Sequence, residues 1–126
     1  MKLRVRHNAL RLRLSQSEVA RLRDAGMVEE SIEFGPGQRL AYRITSDADA
    51  SVIAALHRDG NIEVFVPRAI ITAWADSEQV GMQTDQLVGD GKILRLLIEK
   101  DFKCLDPADP EENLDTFPNP QEGGVC

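Results

Sequence analysis

The chain has 126 residues, enough for one domain with a real hydrophobic core that needs neither metal nor disulfide support. Its 42% hydrophobic and 29% charged residues describe an ordinary globular protein, and no apolar run approaches the roughly 18 residues of a membrane span. Aromatics, at 5%, leave few stacking platforms for single-stranded nucleic acid, and a net charge of −6 disfavours a polyanion partner for the chain as a whole.

The charge is unevenly spread. Residues 1–23 carry Lys2, Arg4, Arg6, Arg11, Arg13, Arg21 and Arg23 against Glu18 alone. Residues 101–126 carry Asp101, Asp106, Asp109, Glu111, Glu112, Asp115 and Glu122 against Lys103 alone. The head is basic and the far end acidic. Arginines interrupt the opening apolar residues, which is unlike a signal peptide, so a cytoplasmic location is expected. In such a reducing compartment Cys104 and Cys126 read as free thiols.

In chain order, "KLRVR" places Lys2, Arg4 and Arg6 at even positions, whereas "LRLRL" places Arg11 and Arg13 at odd ones. One regular strand cannot hold both rows on one face, since a one-residue shift turns every side chain over. A bulge or bend at His7-Asn8-Ala9 is the favoured reading because neither His7 nor Asn8 is Gly; a tight hairpin is the alternative. Ser15 to Glu18 fits a capping box, Val19 and Leu22 an apolar stripe, and Gly26 a helix stop.

"MVEESIEF" and "QRLAYRIT" flank the "GPG" turn, and "SVIAALHR" and "NIEVFVP" flank Asp59-Gly60, so each pair reads as a hairpin. Pro67 opens a second helix with Ile70, Ile71 and Trp74 on one face; Trp74 reads as core rather than ligand contact. "QVGMQTDQ" and "KILRLLIEKDF" close the series across Gly89-Asp90-Gly91. The order β-(β)-α-β-β-β-β-α-β-β predicts an α+β domain over 1–103, an antiparallel sheet that could curl toward a barrel, with two short helices and no internal repeat. Residues 104–126, with four of the six prolines, read as an acidic tail.

The opening "MKLRVRHNALRLRLSQSEV", then "EFGPG", "IEKDFKCL" and "FPNP", together make the chain resemble a family of small uncharacterised bacterial proteins, a domain of unknown function. The resemblance implies a self-contained domain to which the tail belongs. It implies no activity and no cofactor.

Three chemistries follow from the residues. The first is intramolecular: residues 104–120 would fold back across the strand face carrying either Arg11 and Arg13 or Lys2, Arg4 and Arg6, pinned by Leu105, Leu114 and Phe117, with ion pairs adding about 0–1 kcal/mol each. The second is a metal or thiol site built from Cys104, Asp106, Asp109, Glu112 and His7, although no ligand spacing supports it and Pro107 and Pro110 break any calcium loop. The third is weak nucleic-acid binding by the arginines. Cys104 with His7 or His57 is too thin a constellation to read as an enzyme. The reading that fits best is a non-enzymatic binding or accessory module, with exposed sheet edges that could pair between copies.

Overall fold

The computed structural model describes residues 1–102. Its elements are β1 (Lys2–Arg6), β2 (Ala9–Leu14), α1 (Gln16–Ala25), β3 (Met27–Gly35), β4 (Gln38–Asp47), β5 (Ala54–Arg58), β6 (Asn61–Pro67), α2 (Arg68–Ala75), β7 (Gly81–Gly89) and β8 (Lys92–Lys100). The order matches the sequence-based expectation, and the class is α+β.

The sheet differs from expectation. There are two four-stranded sheets: sheet A in the order β1-β2-β8-β7 and sheet B in the order β3-β4-β6-β5. Each is mixed, because the pairs at the centre, β2 with β8 and β4 with β6, run parallel. Hairpins supply every antiparallel pair; of the parallel joins, β2–β8 links the first hairpin to the last and β4–β6 links two consecutive hairpins. Neither sheet closes into a barrel.

Local chemistry sets the helix ends. The Glu18 amide donates to the Ser15 hydroxyl at 3.4 Å, and the Ser15 amide donates to the Glu18 carboxylate at 2.9 Å, which is the expected capping box. Gly26 ends α1 at φ 86°, a conformation that a side chain would strain. Trp74 is fully buried, and its indole N–H donates to the Val80 carbonyl at 3.2 Å, so it belongs to the core as expected.

The segment His7-Asn8 is a two-residue hairpin turn, not the favoured bulge. His7 takes a left-handed φ of 52°, which His adopts more readily than most side chains. Asn8 then fastens the turn by donating from its amide to the Ile93 carbonyl at 2.7 Å.

The chain also contains a repeat that the sequence reading missed. Exchanging β1-β2-α1-β3-β4 with β5-β6-α2-β7-β8 converts the strand order of sheet A into that of sheet B. The correspondence reaches single bonds. The Arg95 amide donates to the Asn8 carbonyl at 3.0 Å, and the Ala41 amide to the Gly60 carbonyl at 3.1 Å; Ser46 to Gly26 and Lys100 to Val80 form a second such pair. The register irregularities at Glu33/Gly35 and Leu87/Gly89 also correspond.

The core repeats in the same way. Leu12, Leu14, Val19, Leu22, Val28 and Ile44 are buried, and their counterparts Val64, Val66, Ile71, Trp74, Met82 and Ile98 are buried with them. Every residue of this cluster lies between positions 12 and 98. Because each half lends one hairpin to each sheet, neither half can complete a sheet alone.

Two polar contacts tie the sheets together at their edges. The Met1 ammonium contacts Glu18 of α1 and lies 3.1 Å from Glu30 of β3, while the Tyr42 hydroxyl donates to the Met1 carbonyl at 3.0 Å. On the other side Gln86 of β7 accepts from the Ala55 amide at 2.7 Å and donates to the Ala55 carbonyl at 2.8 Å. That carboxamide replaces a strand neighbour for edge strand β5.

Candidate functional site

Side chains alternate along a strand, so the buried Leu12, Leu14, Leu96 and Ile98 fix the inward face of sheet A. The outward face then carries Lys2, Arg4 and Arg6 from β1, Ala9, Arg11 and Arg13 from β2, and Arg95, Leu97 and Glu99 from β8. Register places them in three rows across the strands. Lys2, Arg13 and Glu99 form one row, Arg4, Arg11 and Leu97 the next, and Arg6, Ala9 and Arg95 the third.

The two alternating arginine series therefore share a face. An antiparallel hairpin with a two-residue turn reverses the phase of the second strand relative to the first, and that reversal returns Arg11 and Arg13 to the side of Arg4 and Arg6. The expectation that they must part holds only for an unbroken strand.

Arg95 adds a sixth cation that the sequence reading missed. The signal was present in "KILRLLIEK", where apolar Leu94, Leu96 and Ile98 alternate with Arg95, Leu97 and Glu99. Alternation alone assigns Arg95 to the outward side.

Three acids among the described residues meet this face. Glu99, only 14% exposed, contacts Arg11 Nε and lies 3.3 Å from Arg13 Nε. Asp85 of β7 meets Arg95 at 3.1 Å, and Asp101 meets Lys2 at 2.8 Å. The hydrogen bond from Lys2, with added attraction from Lys2 and Arg13, holds the Asp101 carboxyl below its ordinary range against a small opposing effect of burial.

Between the second and third rows lies a recess of about 210 Å³, lined by Arg4, Arg6, Arg11 and Arg95 over Ala9, Leu10 and Leu97. Its origin is the size of Ala9, which stands between Arg6 and Arg95 and leaves open the space a longer side chain would fill. Four guanidinium groups around an apolar floor can take a carboxylate or another oxyanion on a partly apolar carrier.

Sheet B provides an internal comparison. Its corresponding outward face holds Arg39, Arg43 and Arg58 with Glu29, Glu33 and Glu63. Arg39 and Arg43 reach Glu29 at 3.2 and 2.7 Å, and Arg43 and Arg58 reach Glu63 at 3.6 and 3.3 Å. Charge is balanced there, and Glu63 occupies the place that Arg11 holds in sheet A. The same topology carries either surface, so the cationic excess of sheet A is not a requirement of the fold.

Of the residues singled out from sequence, Arg4, Arg6, Arg11 and Arg13 are brought together. His7 sits at the β1–β2 turn, and His57 lies in edge strand β5 of the other sheet. Cys104, Asp106, Asp109 and Glu112, together with Leu105, Leu114 and Phe117, lie outside the described residues. Among the described residues no group of three or more His, Cys, Asp or Glu side chains could hold a metal ion. No helix among them is long and apolar enough to cross a membrane.

The fold and this surface define the class: an α+β protein of two mixed sheets, one presenting a cationic face. The chain belongs to a family of unknown function, DUF7009, which it matches over residues 1–121. No curated protein and no solved structure matches the chain. The matched range includes most of residues 104–126.

Proposed function

We propose that the chain is a non-enzymatic binding module whose working surface is the outward face of sheet A, and that its partner is an acidic polypeptide segment carrying apolar side chains. The observation behind this reading is the asymmetry between two surfaces of one topology. Sheet B sets three arginines among three glutamates across its strands, whereas sheet A gathers Lys2, Arg4, Arg6, Arg11, Arg13 and Arg95 on one face with Glu99, Asp85 and Asp101 as the acids among the described residues.

A polypeptide partner fits better than nucleic acid. The face mixes guanidinium groups with Leu97 and the apolar floor of the recess, and no aromatic side chain stands in its rows for base stacking. A helix that could enter a groove is also lacking there, since both helices contribute buried residues to the core instead.

Fluorescence anisotropy of a labelled Glu- and Leu-rich synthetic peptide, titrated with residues 1–102, tests the reading. Saturable binding that weakens with salt is expected, with a loss of at least tenfold when Arg4, Arg6 and Arg95 become Gln. The matching Arg39→Gln and Arg58→Gln changes on sheet B should leave it unaltered. Tighter binding of a DNA duplex than of the peptide would overturn this assignment in favour of nucleic acid.

A further inference from the structure

We infer that the resident occupant of this basic face is the chain's own acidic segment, residues 104–126, held in cis as a competitor for any partner in trans. The inference rests on the binding reading above and names who fills the site first.

Three observations carry it. The first is where the described chain ends. Asp101 donates its amide to the Leu14 carbonyl at 2.8 Å and pairs through its carboxylate with Lys2, so the described residues end beside the Lys2–Arg13–Glu99 row. That row is the rim of the cationic surface.

The second is reach. Rows on this face are two residues apart along each strand, about 6.6 Å, so the Arg6–Arg95 row lies roughly 13 Å from the row where the described residues end. Asp106 is five residues beyond Asp101, a span of up to about 17 Å. Asp109, Glu111, Glu112 and Asp115 follow in the sequence. The acids begin at the distance the guanidinium groups require.

The third is complementarity. Residues 104–126 carry six acids and no base, and they include Leu105, Leu114 and Phe117. The recess offers the matching arrangement, with four guanidinium groups around Ala9 and Leu97. The two charge excesses lie within one chain.

Tethering makes such an occupant effective even when each contact is weak. A segment joined directly to its site acts at an effective concentration on the order of a millimolar. If the free segment binds with a Kd of roughly 0.1 mM, the tethered copy weakens any competing ligand by about tenfold. A partner in trans must therefore be more acidic, or better anchored, than the tail it displaces.

The test compares ¹⁵N-labelled full chain with residues 1–102. Backbone amides at Arg4, Arg11, Arg13, Arg95 and Leu97 should differ between the two. A synthetic peptide of residues 104–126 should move those amides in the shorter chain toward their full-chain positions, and should bind the shorter chain at least tenfold more tightly than the full one. Converting Asp106, Asp109, Glu111, Glu112 and Asp115 to Asn or Gln in the full chain should give the spectrum of the shorter chain at those amides.

Superimposable spectra for sheet A, with a Glu- and Leu-rich peptide still bound there by residues 1–102, would overturn the tail as occupant and leave the binding face standing. Failure of the shorter chain to bind either peptide would overturn both.

Discussion

Arg4 and Arg11 stand directly opposite each other on β1 and β2, both on the outward side of sheet A. Like charges in that relation destabilise a sheet by up to roughly 1 kcal/mol. Lys2 opposite Arg13 repeats the arrangement one row away. Arg43 opposite Glu29 in sheet B shows that the same topology accommodates opposite charges. A row of cations that the topology does not require points to a use outside folding.

Arg6→Gln should therefore separate stability from binding. In residues 1–102 the melting free energy should stay within about 0.5 kcal/mol of the parent or rise slightly. Affinity for a Glu- and Leu-rich peptide should fall severalfold. Loss of stability without loss of affinity would mean that the cation serves the fold.

The β1–β2 turn makes a separate prediction. At φ 52° a β-branched side chain is strongly disfavoured, so His7→Ile should cost about 1–2 kcal/mol, whereas His7→Gly should be nearly neutral. Chemical denaturation of the two variants provides the comparison. Equal effects would indicate that this position is not held in the left-handed region.

That turn also explains what the sequence could and could not disclose. Element order was readable because local chemistry marks it: the Ser15–Glu18 box, Gly26, Asp59-Gly60 and Asp90-Gly91 all fall where the structure turns. The parallel pairing of β2 with β8 was not readable, since it joins segments more than eighty residues apart and no local signal reports it. The repeat was hidden because corresponding positions keep only their apolar character. Leu22 answers to Trp74, Val28 to Met82, and outside the core Arg11 answers to Glu63. The connection from helix to following strand is also longer in the second half, which breaks a constant sequence offset. As for the site, both arginine rows were visible, but it is the hairpin at His7-Asn8, the less favoured reading, that sets them side by side on neighbouring strands.

Core positions related by the repeat should behave alike. Ile44 and Ile98 are each buried to 1% exposure or less, one in each sheet, so truncation of either to Ala should cost about 2–5 kcal/mol. Urea denaturation of both variants checks this. A large cost at one position and none at the other would show that the two halves do not share the core equally.

The edge contact at Met1 gives stability a defined pH dependence. Burial opposes charge on both the Met1 amine and Glu18, yet the hydrogen bonds and attraction between them, with Glu30 and the Ser15 cap adding to it, raise the amine and lower the carboxyl. A raised amine contributes fully below its ordinary value of 8.0, and its contribution is lost as pH climbs through the higher folded value. A lowered carboxyl contributes above 4.5 and loses its contribution as pH falls through the lower folded value. Tyr42, raised by burial and by the nearby carboxylates, keeps its proton beyond its ordinary range. Glu18→Gln should thus cost about 1–3 kcal/mol near pH 6 and progressively less as pH rises above the ordinary amine value of 8.0. A cost independent of pH in thermal melts would place the effect in the helix cap alone.

The most direct test of the basic face is a map of where an acidic ligand lands. Residues 1–102, labelled with ¹⁵N, are titrated with a Glu- and Leu-rich peptide at low and at high salt. The account predicts shifts concentrated at residues 4–13 and 93–99, saturating at low salt and weakening as salt rises, with residues 39–45 and 58–65 of sheet B unmoved. Shifts of equal size on the two sheets, or confined to the helices, would contradict it.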